Sequence, residues 1–361
     1  MNMNKAIKLF AILILALFAV IQAANAQEVI FTSDAILNIS PDAKLIFNNG
    51  ANLINNSNTT QLNGKFVFNG PDETGIGGTQ SSVLEDLTLE NSAIVNLSSN
   101  ISIGKNLNLT LGILKLLNSN LNLLSGASIN GSFSENNMIV ADGNGKLSSS
   151  ITATGIYDFP VGDLTATADY SPVKITINSG NFNNAVLSVN LKDAKHPANT
   201  STTHYLSRYW TVNQTGITNL HCNVEFHFVN EDINGNEADI YGGKWNGTYW
   251  VPLDKVSLNA VTGIVGDLYD FTAGELSVLN VEVPFEENIE IVVEGNSISI
   301  RLLEELGLES LEIFNSLGQK VLFRNINNSD YYQLDINTGK GVYLIKISGN
   351  GKSMSKKVAI Y

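Results

Sequence analysis

Short segments in which apolar and polar side chains alternate make up most of the chain, and Gly or Asn residues separate them. Alternation with a period of two puts the apolar side chains on one face of a strand, and Gly and Asn tolerate the backbone conformations of tight turns. The pattern therefore predicts an all-β protein. The only helix-like stretch, LLEELGLES at residues 302–310, is interpreted as containing a turn between two strands.

Charge and cysteine content restrict the class of protein further. The formal net charge is −13, and an acidic chain without a basic stripe repels phosphate, so we expect no nucleic-acid partner. Cys222 is the only cysteine, so no internal disulfide can form and hydrophobic cores must hold the fold together. We expect Cys222 itself to be a buried strand residue.

The N-terminus has the pattern of a secretory signal peptide. Two lysines precede an apolar run at residues 9–21, and Ala-Asn-Ala follows at residues 24–26. As a helix that run would reach about 20 Å, which is shorter than the ~30 Å hydrocarbon core of a membrane. We therefore predict that residues 1–26 are a signal peptide, that Sec-dependent export delivers the chain to the periplasm, and that the mature protein begins near Gln27.

Residues 27–146 are predicted to form a β-solenoid. Short similar segments recur there, and stacked coils of such segments bury columns of Leu, Ile and Val while outward Asn side chains form ladders. A conventional β-sandwich with irregular hairpins is the alternative, because the spacing drifts. The repeats are AILNIS, AKLIFNNG and ANLINNSN, eight residues apart at 35, 43 and 51, and Leu-polar-Leu steps at 87–89, 107–109 and 121–123.

We expect no catalytic residues and no cofactor in the solenoid. Pectin-degrading β-helices need clustered carboxylates that hold a cation, with a basic residue above the substrate. Charged side chains are sparse between residues 84 and 133, and no such cluster is visible there. A sparsely charged solenoid face is better suited to contact than to chemistry.

Residues 147–284 have longer and more aromatic segments, which favours an antiparallel β-sandwich. Trp-Asn-Gly-Thr-Tyr-Trp at 245–250 predicts a hairpin with Asn-Gly at its tip. FPVG, YSPV, RYW and this hairpin resemble segments that recur in large secreted proteins of Bacteroidota, a resemblance that implies no known activity. The segments interpreted as strands are 157–163, 170–177, 185–191, 207–213, 223–229 and 238–253, with further strands beyond Val256.

Three groups of side chains in this region are candidate sites. Asp232, Asn234, Asn236 and Asp239 place oxygen atoms at alternating positions, as in a calcium loop, although the Gly and Glu positions of an EF-hand are not met and a polar hairpin tip is the alternative. Trp245, Tyr249 and Trp250 are a possible platform for stacking on glycans, with ordinary core or hairpin packing as the alternative.

The third group, His221, Glu225 and His227, faces one side of a strand, with Cys222 on the other side. These three side chains are spread too far along the strand for one ion about 2 Å from each ligand. We therefore predict no metal site.

Residues 285–361 contain seven candidate strands and are predicted to form a small, Ig-like, seven-stranded β-sandwich. Tyr343, Ile345 and Ile347 should share one face, and Gly318 should adopt a left-handed conformation in a turn. The candidate strands are 289–293, 297–302, 310–315, 319–324, 332–336, 342–347 and 354–360.

This region closely resembles the type A C-terminal sorting domain of the type IX secretion (Por secretion) system of Bacteroidota. The resemblance rests on IFNSLGQKV at 313–321, DINTGKGVYLIKI at 335–347 and KKVAIY at 356–361, while the Asn-rich tract at 325–328 departs from it. The motif residues are Phe314, Asn315, Leu317, Gly318, Gln319, Val321, Gly341, Val342, Tyr343, Lys346, Lys356 and Lys357.

The resemblance implies recognition by the type IX export machinery, removal of the domain by a sortase-like peptidase, and attachment of the cargo to surface lipopolysaccharide or its release. We therefore expect a non-enzymatic, adhesin-like or structural protein at the outer-membrane surface or outside the cell. The alternative is a glycan-binding or carbohydrate-active protein that uses the aromatic middle region, with extracellular glycans as partners.

Overall fold

A computed structural model of the chain describes residues 28–32, 39, 43–57, 61–279, 289–302, 308–326, 331–335, 339–349 and 352–360. The predicted signal peptide lies outside the described residues, as does the central part, 303–307, of the helix-like stretch. The all-β prediction is confirmed, since nearly all regular structure is strand. In the described part of the chain, α1 at Leu276–Leu279 is the only α-helix, a single turn that the sequence did not predict, and no helix there could span a membrane.

The predicted solenoid is confirmed, and its strands pair in parallel. Coils stack on one another through three columns of paired strands, one for each side of the coil. The strands are β1 Glu28–Thr32, β2 Lys44–Asn48, β3 Asn52–Asn56, β4 Gln61–Gly70, β5 Thr74–Gly77, β6 Ser82–Leu97, β7 Ile101–Lys115, β8 Leu121–Leu123, β9 Ser128–Gly131 and β10 Ile139–Val140.

Stacked apolar side chains fill the solenoid. In one column Leu87 lies beside Leu107, 20 residues later, and Leu107 lies beside Ile129. The Leu-polar-Leu step at 121–123 belongs to another column, where Leu121 pairs with Ile101. The spacing of 20 is thus one coil, whereas the spacing of 14 joins two different sides of the coil.

The eight-residue repeats have a similar explanation. β2 and β3 follow each other in the chain, but β2 pairs with β4 and β3 pairs with β1 and β5. Eight residues are therefore the step from one side of a coil to the next, and the spacing drifts because the corners differ in length. Of the first repeat, AILNIS, the structure describes only Ile39, which packs against the solenoid core.

The middle region is mainly antiparallel and is built on two long strands. Four segments that the sequence separates are halves of β15 and β17, because pairing continues, with bulges instead of turns, through residues 177–186 of one strand and 215–222 of the other. The strands are β11 Leu147–Ile151, β12 Gly155–Phe159, β13 Val161–Asp163, β14 Asp169–Tyr170, β15 Val173–Lys192, β16 Tyr205–Leu206, β17 Tyr209–His227, β18 Ile233–Asn234, β19 Ile240–Trp245, β20 Trp250–Lys255, β21 Ala260–Val265 and β22 Asp270–Glu275.

Bending of the long strands makes two layers. The first half of β17 carries Trp210 and the second half carries Phe226, and their ring centroids lie 5.3 Å apart. Phe226 also stacks on Phe271 of β22, with a centroid distance of 4.4 Å. The two halves of each long strand therefore belong to opposite layers of a sandwich with an aromatic core.

Solenoid and sandwich share one hydrophobic core. Leu147 of β11 pairs in parallel with Leu121 of the solenoid and antiparallel with Val189 of β15. One connected set of buried side chains runs from Phe31 to Ala273. Parallel pairing continues past residue 147, where β11 pairs with β8 and β13 pairs with β10, and β11 is also the first strand of the region to pair antiparallel.

The C-terminal region forms the seven predicted strands, each with ends within two residues of the predicted ones. They make a three-stranded sheet, β23-β24-β27, and a four-stranded sheet, β26-β25-β28-β29, around a separate core. The strands are β23 Ile289–Glu294, β24 Ser297–Leu302, β25 Leu308–Phe314, β26 Lys320–Asn325, β27 Tyr331–Asp335, β28 Gly341–Gly349 and β29 Lys352–Ile360.

Candidate functional site

The turn between β25 and β26 is organised by one asparagine. The Asn315 carboxamide oxygen accepts hydrogen bonds from the backbone N–H groups of Leu317 and Gln319, at 3.0 and 2.9 Å. Its Nδ2 donates to Oε1 of Gln319 at 2.9 Å. Gly318 has φ +76°, the left-handed conformation that was predicted. The side chain of Leu317 is 81% exposed, so the turn presents an apolar residue to solvent.

Successive side chains of β28 point to opposite faces of the sheet, so the residues of the motif segment in this strand form an inward set and an outward set. Tyr343, Ile345 and Ile347 are buried in the core of the region, as predicted, and the Tyr343 hydroxyl donates to the carbonyl of Gly339 at 2.7 Å. Val342 and Leu344 point the other way and are each 41% exposed. The inward set accounts for folding and leaves the outward set free to contact a partner.

The basic residues near the C-terminus do not form one patch. Lys356 and Lys357 are consecutive on β29, so their side chains leave the strand on opposite faces. Nζ of Lys356 lies 3.5 Å from the carbonyl oxygen of Ile291 in β23 and so connects the two sheets. Lys357 is opposite Leu344 on the outer face of the four-stranded sheet.

A comparison with protein-family models identifies this region. Residues 283–361 match the family described as secretion system C-terminal sorting domain. The chain carries a type IX sorting domain at its C-terminal end. A comparison with curated proteins found no match for the chain. The sorting domain supports export by the type IX system to the cell surface or the extracellular space, implies interaction with the machinery of that system, and implies a bacterium of the Bacteroidota.

The residues that precede the sorting domain contain a buried ion cluster that sequence reasoning missed. The Arg208 guanidinium is fully buried and faces four aspartates from four segments of the chain. Its partners are Asp163 at Nη1, Asp169 at Nη2 (3.2 Å), Asp193 at Nη2 (3.8 Å) and Asp232 at Nε (2.7 Å). Burial raises the pKa of Asp193 and of Asp232, and the positive charge of Arg208 opposes this shift.

The cluster brings the FPVG, YSPV and RYW segments together in the fold. Asp163 directly follows FPVG, Asp169 directly precedes YSP, and Arg208 begins RYW. Nε1 of Trp210 donates to the carbonyl of Ser171 at 3.1 Å, which brings the last two segments into contact. A lone arginine beside an apolar strand, with aspartates at the ends of the two other segments, was the signal that could have indicated the cluster.

The candidate calcium residues differ in their surroundings. Asp232 is buried and paired with Arg208, while Asn234 and Asn236 are exposed. The carboxamide of Asn236 begins a short 3₁₀ turn and donates from Nδ2 to Asp239 at 3.1 Å. The calcium site stays a prediction, and its first ligand already has a strong partner.

The side chains around Cys222 alternate as predicted. Cys222 is buried and its pKa is raised to about 12 by burial, whereas His221 is exposed and contacts Asn178. Glu225 and His227 are bonded to each other. Among the described residues, no three His, Cys, Asp or Glu side chains are arranged to hold a metal ion.

The tryptophan hairpin is confirmed, with Trp245 paired to Trp250 and Gly247 at φ +97°. Trp250 is 2% exposed, packs edge-on against His196 and donates from Nε1 to the carbonyl of Ala198 at 3.2 Å. One of the three side chains of the possible glycan platform is therefore buried. Trp245 and Tyr249 are only half-buried, so they alone could contribute a stacking surface.

The solenoid carries polar ladders on the outer face of the column formed by β4, β6, β7 and β9. Asn106 Nδ2 donates to Asp86 at 2.6 Å, and Asn130 Nδ2 donates to Asn108 Oδ1 at 3.1 Å. Asn108 Nδ2 in turn donates to Thr88 at 3.2 Å. A shallow, open cavity of about 410 Å³ lies on this face, lined by Lys44, Thr88, Glu90, Asn108, Leu109, Thr110, Asn130, Gly131 and Ser132.

Proposed function

We propose that the chain is a non-enzymatic, adhesin-like or structural protein that acts at the cell surface or outside the cell. Sec-dependent passage into the periplasm precedes its export in this proposal, and a sortase-like peptidase then removes the sorting domain, leaving the cargo on lipopolysaccharide or free. The observation that carries the proposal is the polar outer face of the solenoid, with its ladders of Asn and Thr side chains.

Stacked coils fix these side chains in rows, because the hydrogen bonds of one coil to the next leave the strands little freedom. A surface that is ordered before it meets a partner loses little conformational entropy on contact. Carboxamide and hydroxyl groups each offer donors and acceptors, so the face can contact many polar surfaces. These properties favour adhesion or assembly.

A second candidate function is glycan binding, and it is favoured by the cavity on the same face. Its lining of Thr88, Asn108, Thr110, Asn130 and Ser132 matches the hydroxyl-rich surface of a sugar chain. Adjacent strands lie about 4.8 Å apart, so rows of side chains recur along the solenoid axis at a short, regular distance. Because Trp250 is buried, less of the aromatic hairpin is available for stacking, and this favours the solenoid face as the glycan surface.

Attachment of cells that export the full chain tests both functions. Asn108→Lys combined with Asn130→Lys should lower attachment about fivefold to tenfold, as expected for the loss of one or two polar contacts. Attachment is measured on bare polystyrene and on polystyrene coated with xylan, laminarin or polygalacturonate. Adhesin-like function predicts attachment to bare and coated surfaces alike, whereas glycan binding predicts attachment to one coating, with inhibition by the same soluble polysaccharide.

The matched control is Asn213→Lys combined with Asn223→Lys, which adds the same charge to two exposed asparagines of β17. Antibody labelling of intact cells must show equal amounts of all variants at the surface. Equal attachment by the ladder variant and the control variant would contradict the proposal that the solenoid face makes the contact.

A further inference from the structure

The outer face of the four-stranded sheet in the sorting domain combines exposed apolar side chains with lysines. Phe323 is 55% exposed, and Val342 and Leu344 are each 41% exposed. Cross-strand pairing places Phe314 beside Leu344, and Leu344 beside Lys357. These outward apolar groups do not belong to the core of the domain, which is formed by the inward residues of the same strands.

The charges on this face are mainly positive. Lys346 is opposite Glu312, and Lys320 is bonded to Glu312 while its Nζ lies 5.1 Å from the centre of the Phe323 ring. With Lys357, three lysines surround the apolar groups and one glutamate partly neutralises them. The chain as a whole has a formal charge of −13, so this face differs in sign from the rest of the protein.

We propose that the outer face of the four-stranded sheet, formed by Phe314, Phe323, Val342, Leu344, Lys346 and Lys357, is the surface by which the sorting domain docks on a protein of the type IX machinery. The partner presents an apolar groove flanked by carboxylates. Protein interfaces usually have apolar groups at the centre and charged groups around them. The lysines select for an acidic partner and against the acidic surface of other cargo molecules.

The motif residues support this assignment. Phe314, Val342, Lys346 and Lys357 belong to the segments that identify the domain, and they reach one face from three different strands. The buried motif residue Tyr343 and the turn residue Asn315 already have structural roles in the core and in the turn. The outward motif residues have no comparable role within the domain, and docking gives them one.

The test compares two faces of the same domain in cells that produce the full chain. Phe323→Ser combined with Leu344→Ser removes exposed apolar groups from the docking face. Val292→Ser combined with Tyr331→Ser removes groups that are 42% and 51% exposed on the three-stranded sheet. The periplasmic and the surface-plus-medium fractions are measured by immunoblotting, and the thermal unfolding of each purified variant is measured by circular dichroism.

We expect the docking-face variant to raise the ratio of periplasmic to exported protein about tenfold, with the control variant unchanged, as for the loss of one interface anchor. Lys346→Glu combined with Lys357→Glu should act in the same direction without any loss of apolar surface. Normal export of both docking-face variants overturns the proposal. Equal retention of the docking-face and control variants overturns it as well, because no single face would then be used.

A separate measurement distinguishes a protein partner from an anionic lipid. Sedimentation of the purified full chain with lipopolysaccharide aggregates measures lipid binding. If only the charge-reversal variant fails to sediment, and its export stays normal, the face binds lipopolysaccharide and the proposal is wrong. If the serine variant is retained in the periplasm and sediments with lipopolysaccharide like the unmodified chain, the protein partner is supported.

Discussion

The solenoid–sandwich body and the sorting domain are both built from strands, but their cores are organised differently. In the body, within residues 28–279, one core extends through the 22 hydrogen-bonded strands that the structure describes there. This core crosses the change from parallel to antiparallel pairing. The sorting domain has two small sheets and a core of its own. A domain with its own core can be removed without exposing the interior of the cargo, which suits a domain that serves transport.

The two regions also differ in what they bury. Every buried polar or charged side chain among the described residues lies in the body, whereas the buried residues of the sorting domain are apolar apart from the hydroxyl of Tyr343. A buried polar network is costly unless every member is satisfied, but it fixes one arrangement of the segments that meet there. In the body, Arg208 has this role where the last solenoid coil joins the sandwich, while the sorting domain depends on hydrophobic burial.

Among the substitutions considered, Arg208→Met should lower the stability of the body most. Removal of the guanidinium leaves the carboxylates of Asp163 and Asp232 buried without their counter-charge, and breaking a buried pair in this way costs about 3–5 kcal/mol. All three tryptophans lie in the body, so urea unfolding followed by tryptophan fluorescence reports the body alone. Its midpoint should fall strongly.

Arg324→Met is the matched control, because Arg324 is exposed on β26 of the sorting domain. It should leave the fluorescence midpoint unchanged. If Arg208→Met lowers the free energy of unfolding of the body by less than about 1 kcal/mol, the cluster contributes no more than a surface ion pair. Arg208 would then not be what joins the last solenoid coil to the sandwich.

The two cores should unfold separately. Ile345 is fully buried in the sorting domain, and Ile345→Ala should destabilise that domain by about 2–5 kcal/mol. Far-ultraviolet circular dichroism monitors the strands of both regions, while tryptophan fluorescence monitors the body. The variant should therefore show an early transition by circular dichroism and an unchanged transition by fluorescence.

Leu109→Ala, at a fully buried position of the solenoid, is the counterpart and should move the fluorescence midpoint. If Ile345→Ala also lowers the fluorescence midpoint, the two cores unfold together and are not independent.

Sequence reasoning succeeded best where structure is local. In the sorting domain each strand is short, pairs within one small domain and ends at a turn with its own chemistry, such as the Asn315 turn. Alternation alone then defines the strands, the buried face of β28 and the position of Gly318. The family resemblance added the assignment of the domain and was confirmed by the match at 283–361.

Long-range features were less accessible from the sequence. The mostly polar residues between Ile177 and Ala185 are typical of a turn, yet pairing with β17 continues through bulges. The hydrogen bonds come from a strand that is distant in the sequence, so the local pattern does not predict them. The Arg208 cluster joins residues up to 69 positions apart, from Asp163 to Asp232, so nothing in a single segment indicates it. The burial of Trp250 likewise depends on His196, which is distant in the chain.

A smaller effect is expected from pH. The stability of the body should depend on pH through its buried ionisable groups, whereas the interior of the sorting domain is apolar. Burial raises the pKa of Asp193 and Asp232 above the value of an unfolded chain. The folded body therefore holds protons more readily than the unfolded chain does, so this contribution to stability is complete below the unfolded pKa and is lost as the pH rises through the folded pKa. As the pH falls from 7 toward the ordinary pKa of aspartate, about 4, these two carboxyls should increasingly favour the folded body.

Asp193→Asn tests this sign, because asparagine keeps the shape of the side chain and cannot titrate. The urea midpoint of the body, from tryptophan fluorescence at constant ionic strength, should be higher for the variant than for the unmodified chain at pH 7. The two midpoints should approach each other as the pH is lowered to about 4, the ordinary pKa of aspartate. Asp158→Asn, at an exposed position of β12, should leave the difference between the two pH values unchanged. A lower midpoint for Asp193→Asn at pH 7 would show that the attraction to Arg208 outweighs burial, and the cluster would then stabilise the ionised carboxylate.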